Sequence, residues 1–342
     1  MSLVAFLWRA AVALIAVGIF VPARLGTLGS RPHPAATYAD GATRMLRREL
    51  ADDSVVAPGG RSLFLTHGAR TPRVVVLFHG FTNAPSQFRL FAEQLYADGD
   101  NVYVPRLPDH GEIGGDADSL AHLTAEELRD CADSAVDAAA GVGDSVIVVG
   151  FSTGGTLAAW IAQHRSDVRR AVIIAPALEL ANMPSVFDIP LVNLSLLAPN
   201  VTHHAPRDST APDQEPGFSS HAVAEMLRLG LAVEDAASHE QPRAGSMVFL
   251  LNPNDHTVKA GAAYDLAQHW SDEGAAVQVY QLPDSMHLPH DVVDVREPAG
   301  RTAAVYPVFM ALTRGVAPPS WVSNQSARLG IPRDINQTPR GP

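Results

Sequence analysis

The sequence predicts an α/β fold in which a mostly parallel central sheet is flanked by helices. Three observations support this prediction. Short apolar runs alternate with helical patterns along the middle of the chain, as expected when crossover helices join parallel strands. Several runs are apolar at nearly every position, which is typical of strands covered on both faces. One run leads directly into a serine between two glycines, and a helical pattern follows it.

The apolar runs and helical periods set the bounds of the predicted elements. The strands are Arg61–Thr66, Val74–His79, Asn101–Val104, Ser145–Gly150, Ala171–Ala175, Met247–Leu251 and Val277–Leu282. The helices are Pro85–Asp98, Ala125–Ala140, Thr153–His164, Ala260–Glu273 and Ala299–Arg314. Thr124 and Glu127 have the spacing of a capping box and predict the start of the helix at Ala125.

Composition excludes several classes of function. The chain of 342 residues is 46% hydrophobic and 18% charged, which supplies enough apolar material for a buried sheet. Its formal net charge of -11 argues against a nucleic-acid partner, which would require a basic face. Cys131 is the only cysteine, so an intramolecular disulfide and a zinc site of paired cysteines are both excluded. Lys259 is the only lysine, which disfavours Schiff-base chemistry.

The first residues differ in composition from the rest of the chain. Leu3–Val21 is apolar except for Arg9, so residues 1–23 are interpreted as a signal peptide or a membrane anchor. The poor cleavage site favours the anchor, with membrane association through residues 3–21 and an extracytoplasmic location. An amphipathic helix packed on the domain is the alternative. The remaining predicted boundaries are a linker at 24–45, a folded domain at 46–314 and an extended tail at 315–342.

The serine between two glycines is the strongest functional signal. Gly150-x-Ser152-x-Gly154 follows an apolar strand and precedes a helix, the context of the nucleophile elbow of α/β-hydrolases. Gly150 and Gly154 are expected because so tight a turn leaves no room for Cβ atoms beside the serine. Ser152 is therefore the predicted nucleophile, and the backbone amide of Thr153 points toward the charge that develops on the substrate.

A second amide for an oxyanion hole is expected from the loop after an upstream strand. That strand ends in His79-Gly80-Phe81, and Gly80 allows the backbone to turn inward. The Phe81 N–H is the predicted second donor, beside the Thr153 N–H. Taken alone, His79-Gly80 would be read as the end of a strand, and the elbow is what favours the oxyanion interpretation.

Ser152 also needs a base and an orienting acid, in the chain order serine, acid, histidine. Asp255 follows the strand Met247–Leu251, and His287 follows the strand Val277–Leu282. Both lie on loops at the expected edge of the sheet, so they are predicted to complete a catalytic triad. The alternatives are Asp284 for the acid, which is better placed to shape a turn, and His290 or His256 for the base.

These motifs resemble those of bacterial carboxylesterases and monoacylglycerol lipases. The stretches that carry the resemblance are LFHGFTNAPSQFRLFAEQL, VYVPRLPDHG, VVGFSTGG, NPNDHTV and LPDSMHLPHD. The resemblance implies the α/β-hydrolase fold, a Ser152–His287–Asp255 triad and an oxyanion hole from Phe81 and Thr153. It also implies a cap insertion after the sixth strand of that fold, at about residues 178–222. Thr153 departs from the Leu or Met that is frequent there in these enzymes.

The predicted function is hydrolysis of a carboxylic ester with an apolar acyl group through an acyl-enzyme, without a cofactor or metal. Thioesterase, amidase or peptidase, and perhydrolase activity on the same triad remain alternatives, as does a ligand-binding module of low turnover. His203-His204 is disfavoured as a metal pair because adjacent residues rarely point at one ion. Asp109-His110-Gly111 is expected to form a turn near the mouth of the site rather than a catalytic dyad.

Overall fold

The strands of the fold fall into one large sheet and one small hairpin. A computed structural model describes residues 20–21, 25–52 and 55–329. In these ranges the strands are β1 (Leu63–Leu65), β2 (Val74–Phe78), β3 (Asn101–Val104), β4 (Val146–Phe151), β5 (Val168–Ile174), β6 (Thr202–His204), β7 (Gly217–Ser219), β8 (Met247–Leu251), β9 (Val277–Gln281) and β10 (Ser323–Asn324).

The large sheet has eight strands in the order β1-β3-β2-β4-β5-β8-β9-β10. Only its outermost pairs, β1 with β3 and β10 with β9, are antiparallel. Every residue of β2, β4 and β8 is buried, as expected for central parallel strands with helices on both faces. The predicted architecture is therefore confirmed. The short strands β6 and β7 pair with each other in a separate antiparallel hairpin.

Helices cover both faces of the sheet. The α-helices are α1 (Tyr38–Asp52), α2 (Arg89–Ala97), α3 (Ala125–Val142), α4 (Thr153–His164), α5 (Asp188–Leu197), α6 (Ser220–Ala237), α7 (Ala260–Asp272) and α8 (Thr302–Arg314). The 3-10 turns are Leu25–Thr27, Pro85–Phe88, Ser119–His122, Ser185–Phe187, Asp284–Met286, Pro298–Gly300 and Ser326–Arg328. The predicted capping box is present at α3, where the Thr124 hydroxyl accepts from the Glu127 N–H.

Strand side chains alternate between two apolar cores. In β2, Val74, Val76 and Phe78 join the core beneath α1, α3, α4 and α7, while Val75 and Leu77 join the core beneath α2 and α8. This alternation fixes the register of β2. Because the central strands are parallel, the carboxyl ends of β2, β4, β8 and β9 lie along one edge of the sheet.

Part of the segment predicted as a linker, at 24–45, has regular structure and contacts the domain. Helix α1 already begins at Tyr38, and the residues before it bind to α3. The Ser30 hydroxyl and the Arg31 N–H donate to Asp133, and the His33 N–H donates to Asp137 at 2.8 Å. These contacts satisfy buried carboxylates, so the segment is part of the fold.

Parts of the predicted tail and cap also have regular structure. Within the tail at 315–342, β10 extends the sheet antiparallel to β9, and Val322 is buried. The region predicted as the cap contains α5 and the β6–β7 hairpin, where the His203 ring lies against Phe218. The signal peptide or anchor predicted at 1–23 lies outside the described residues except for Phe20 and Val21. No helix in the described ranges is long and apolar enough to span a bilayer.

Arg165 links α3 and α4 through a buried ion-pair network. Its guanidinium contacts Asp133 at 2.8 Å and Asp137 at 2.7 Å, and only 1% of the Arg165 side chain is exposed. The two carboxylates also accept hydrogen bonds from residues 30–33. The guanidinium therefore pairs with both of the carboxylates that bind the N-terminal segment. Removing one partner of such a network leaves buried charge without compensation.

Replacing this guanidinium should therefore destabilise the fold. Arg165→Met is expected to lower the free energy of unfolding by about 3–5 kcal/mol, measured by urea denaturation. Arg44→Met is the matched control, because the Arg44–Asp40 pair is largely exposed and should change stability by less than about 1 kcal/mol. If both variants lost the same free energy of unfolding, the claim that the buried ion pairs of Arg165 contribute more than an exposed pair would be contradicted.

Candidate active site

Ser152 occupies a strained turn between β4 and α4. Strand β4 ends at Phe151 and α4 begins at Thr153, so a single residue makes the change of direction. Its backbone has φ 56 and ψ -116, in a region that residues with a Cβ rarely adopt. The Ser152 N–H donates to the Ile174 carbonyl at 3.0 Å, which anchors the turn to β5. The turn leaves the hydroxyl at the carboxyl edge of the sheet.

The flanking glycines make this turn sterically feasible. A methyl group at Gly150 would collide with the carbonyl oxygen of Gly154, and one at Gly154 would collide with the carbonyl oxygen of Phe78. Both obstacles are backbone atoms, which cannot move aside as a flexible side chain could. The spacing Gly150-x-Ser152-x-Gly154 is thus a packing requirement of this strand-to-helix junction.

His290, rather than the predicted His287, contacts the serine. Its Nε2 lies 2.9 Å from the Ser152 Oγ, and its Nδ1 lies 2.6 Å from Oδ2 of Asp255. The carboxylate accepts from Nδ1–H, which leaves Nε2 unprotonated and able to accept from the hydroxyl. The structure therefore brings Ser152 and Asp255 together as predicted, but with His290 between them. His287 was the wrong choice of base.

The path of the loop after β9 explains the difference. A 3-10 turn ends at Met286, and His287 then adopts a left-handed conformation with φ 49 and an exposed ring. The Asn252 side-chain amide donates to the carbonyls of Leu288 and Pro289, at 3.0 and 2.8 Å. These bonds hold the loop against the end of β8 and bring His290, not His287, to the edge of the sheet.

Asp255 is aimed by the backbone around it. Its Oδ1 accepts from the N–H groups of Thr257 at 2.8 Å and Val258 at 3.0 Å, so Oδ2 is left for the histidine. Only 2% of its side chain is exposed, which strengthens the bond to His290. The other predicted alternatives do not reach the serine: His256 is exposed, and Asp284 caps a turn through its carbonyl, which accepts from the His287 N–H.

Two backbone amides have the setting predicted for oxyanion donors. Thr153 is the first residue of α4, so its N–H has no acceptor within the helix. The Phe81 N–H makes no hydrogen bond to any of the residues that the structure describes. Gly80 lies against Ser152 and Phe151, where an added methyl would be only 3.3 Å from the Phe151 ring. One amide is thus at the start of α4 and the other is on the loop after β2, and both segments meet at the serine.

His79 supports the Phe81 loop from behind. Its Nε2 accepts from the Leu107 N–H at 3.1 Å, so the proton is on Nδ1, which donates to the Gly80 carbonyl at 2.9 Å. Burial, with His110 and Arg106 nearby, holds the pKa of His79 well below its ordinary value and keeps the ring neutral. The sequence did not predict this supporting role of the His79 side chain.

The turn Asp109-His110-Gly111 lies behind the Phe81 loop. The His110 ring is fully buried, with its centroid 5.6 Å from that of Phe81 and 5.4 Å from that of His79. Burial lowers the pKa of His110 to about 4, so the ring packs as a neutral group. This turn is therefore part of the support of the loop, and it lies deeper than the expected position near the mouth.

A cavity of about 310 Å³ opens at Ser152 and His290. Phe81 and Phe151 line it near the serine, and polar side chains line most of the rest. These polar residues are Thr82, Asn83, Gln87, Asp208, Gln214, Asp291, Asp294, Arg296 and Glu297. This polar wall could not be predicted from the sequence patterns, because its residues come from three segments that are distant in the chain: 82–87, 208–214 and 291–297.

Arg296 organises the far wall of the cavity. Its guanidinium contacts Asp213 and Asp294, each at 2.7 Å, and donates to the Ser86 hydroxyl at 3.0 Å. Asp213 lies on the loop between β6 and β7, so the network ties that loop to the body of the fold. On the opposite side, the Thr153 hydroxyl contacts the Met226 sulfur at 2.7 Å, so the residue that departs from the expected Leu or Met packs against α6.

Comparison with known proteins shows which proteins the chain resembles. Residues 75–305 match the alpha/beta hydrolase family. A thermostable monoacylglycerol lipase from Bacillus sp. (strain H-257) is 25% identical over 251 residues, covering 70% of this chain and 91% of the lipase. These matches confirm the resemblance predicted from the motifs.

Solved structures share the fold. A structure described with LipS and LipT, two metagenome-derived lipolytic enzymes, has a TM-score of 0.54 and 19% identity, and the match covers 73% of this chain and 98% of that one. A monoacylglycerol lipase from Paleococcus ferrophilus has a TM-score of 0.51 and 16% identity, covering 64% of this chain and 88% of its own. At these identities the likeness concerns the fold alone.

The geometry makes a direct prediction about serine reactivity. His290→Ala should slow labelling of Ser152 by a fluorophosphonate probe by at least about 100-fold, because the hydroxyl loses the group that accepts its proton. His287→Ala is the matched control on the same loop and should label at the wild-type rate. The rates can be followed by intact-protein mass spectrometry. Loss of labelling in His287→Ala with retention in His290→Ala would contradict the assignment.

Proposed function

Because the chain belongs to the alpha/beta hydrolase family, we propose that it is a serine carboxylic-ester hydrolase that acts through an acyl-enzyme. The observation that carries the proposal is the position of His290, which contacts both Ser152 and Asp255. A base between a serine and a buried carboxylate is the arrangement that activates a hydroxyl at neutral pH.

The proposed reaction has two displacements. His290 takes the Ser152 proton as the hydroxyl attacks the ester carbonyl, and the oxyanion lies toward the amides of Phe81 and Thr153. The tetrahedral species collapses when His290 protonates the leaving alcohol. A water, deprotonated by His290, then attacks the acyl-enzyme, and collapse returns the proton to Ser152 and releases the acid. Asp255 holds the imidazole and stabilises its cation throughout.

The proposed substrate is an ester that joins an apolar acyl group to a polar alcohol. Similarity to a monoacylglycerol lipase supports the apolar acyl group. The polar wall with Asn83, Gln214 and Arg296 supports an alcohol with several hydroxyl groups, because these side chains can exchange hydrogen bonds with it.

Activity should depend on Ser152 and on the nature of the leaving group. Ser152→Ala is expected to lower kcat/KM for p-nitrophenyl esters by at least about 1000-fold, because the nucleophile is removed. Wild-type protein should hydrolyse monoacylglycerols with a higher kcat/KM than acyl-CoA or peptide amides, measured side by side over a series of acyl lengths. Retention of esterase activity in Ser152→Ala would overturn the mechanism. A preference for thioesters or amides would replace the proposed substrate while leaving the triad in place.

We also propose that residues 3–21 associate with a membrane and that the hydrolase domain lies outside the cytoplasm. The apolar sequence of this segment supports the proposal. On the described side of the segment, the Val21 carbonyl accepts from the Asn193 side chain on α5. Nearby on the same helix, Leu194 and Leu197 are 49% and 79% exposed, so the cap presents apolar side chains close to Val21.

Membrane association can be tested by flotation. The full chain is expected to float with phospholipid vesicles in a sucrose gradient, because residues 3–21 can bury their apolar side chains in lipid. Leu14→Arg places a charge in the middle of this segment and should reduce the floating fraction severalfold. Wild-type protein that stays at the bottom of the gradient would contradict the proposal.

A further inference from the structure

Gln87 joins the two loops that carry the proposed oxyanion donor and base. It lies in the 3-10 turn Pro85–Phe88, and only 2% of the residue is exposed. Its Oε1 accepts from the Gly80 N–H at 2.8 Å, and its Nε2 donates to Oδ2 of Asp291 at 2.7 Å. Gly80 precedes Phe81, and Asp291 follows His290. One side chain therefore spans from one half of the site to the other.

On the oxyanion side, Gly80 is held at both of its polar groups. Its N–H donates to Gln87, and its carbonyl accepts from His79 Nδ1 at 2.9 Å and from the Asn83 N–H at 3.3 Å. The Gly80 carbonyl and the Phe81 N–H belong to one planar trans peptide, in which the two groups point in opposite directions. Holding the carbonyl toward His79 therefore turns the Phe81 N–H the other way. Gly80 has no side chain of its own to resist rotation. The bonds to its carbonyl orient the peptide that carries the Phe81 N–H, and the bond from its N–H to Gln87 holds the other side of the same residue.

On the histidine side, Asp291 has one oxygen for its own loop and one for Gln87. Its Oδ1 accepts from the N–H groups of Val293 at 2.8 Å and Asp294 at 2.9 Å, which closes the turn after His290. Its Oδ2 is left to accept from Gln87. The carboxylate thus links the backbone that carries the base to the amide group that holds Gly80.

We propose that Gln87 is a positioning residue that holds Gly80, and with it the Phe81 N–H, in place relative to His290 through its paired bonds to Gly80 and Asp291. The inference rests on the proposed esterase function and goes beyond it, because neither the triad nor the oxyanion amides require a glutamine here. The Gln87 side chain must place its oxygen toward Gly80 and its nitrogen toward Asp291. Gly80 N–H can only donate, and ionised Asp291 can only accept.

The charged groups around Asp291 determine how its pKa will respond to a substitution at position 87. The carboxylate of Asp294 lies on the same turn and is paired with Arg296, and the imidazole of His290 precedes Asp291 in the chain. Burial raises the pKa of Asp291, and the Asp294 charge adds to this effect. A second carboxylate at position 87 would raise the pKa of the pair further, because two carboxylates at this distance share one proton.

The order of donor and acceptor can be reversed without changing the size of the side chains. Gln87→Glu keeps an oxygen that accepts from the Gly80 N–H, but it places a second carboxylate oxygen, in place of the amide donor, next to Oδ2 of Asp291. We expect its kcat to match the wild type at acidic pH and to fall about 10-fold or more at alkaline pH, as the shared proton is lost and the loops separate. Asp291→Asn sets two amide donors against each other, and kcat should fall at every pH.

The double variant supplies the decisive comparison. In Gln87→Glu with Asp291→Asn, the glutamate accepts from both Gly80 and the asparagine amide, so kcat and its pH profile should return toward the wild type. Gln87→Met, of similar size but without hydrogen bonds, should lose about 10-fold or more in kcat at every pH with KM nearly unchanged. Thermal unfolding of each variant separates these effects from loss of folded protein.

Two results would overturn the inference: wild-type kcat in Gln87→Met, or a double variant no better than the worse single variant while it remains folded. Failure of the proposed function gives a different pattern. In that case wild-type protein lacks esterase activity, or Ser152→Ala retains it. With an active wild type and an inactive Ser152→Ala, the Gln87 series tests the positioning role alone.

Discussion

The chain must turn from a strand into a helix within one residue at Ser152, and the rest of the site depends on that turn. The positive φ of Ser152 is sterically costly, and contacts with neighbouring backbone groups keep the residue in this conformation. Its N–H is bonded to Ile174, and Gly150 and Gly154 leave room only for their own hydrogen atoms. A hydroxyl fixed in this way has little freedom, so its partners have to be brought to it.

Those partners come from the ends of neighbouring parallel strands. Phe81 follows β2, Asp255 follows β8 and His290 follows β9, and all three loops lie at the carboxyl edge that also exposes Ser152. Each loop is in turn held by a contact outside itself. Asn252 holds the segment before His290, and Gln87 joins the loops of Phe81 and His290. The geometry of the site is therefore a property of contacts between loops.

This dependence explains what the sequence could predict. Ser152 and its glycines lie where a strand runs directly into a helix, and Asp255 lies on a short loop directly after a strand. These local contexts are enough to find the residues from the linear sequence. His287 and His290 share the same loop, and the choice between them depends on Asn252, which is distant in sequence. The linker predicted at 24–45 is a similar case. Its last residues, from Tyr38, lie in α1, and the chain just before α1 donates hydrogen bonds to buried Asp133 and Asp137 on α3, which are distant in sequence.

The central claim is that Ser152 forms a covalent acyl-enzyme with His290 as its base. It is tested most directly by mixing the protein with a p-nitrophenyl ester, quenching with acid during the first turnover and mapping the acylated peptide by mass spectrometry. The account predicts a burst of p-nitrophenol equal to the concentration of active protein, with the acyl group on Ser152 and no burst in His290→Ala. An acyl group on another residue would contradict the account. So would turnover of a slowly deacylating ester during which no acylated peptide is found.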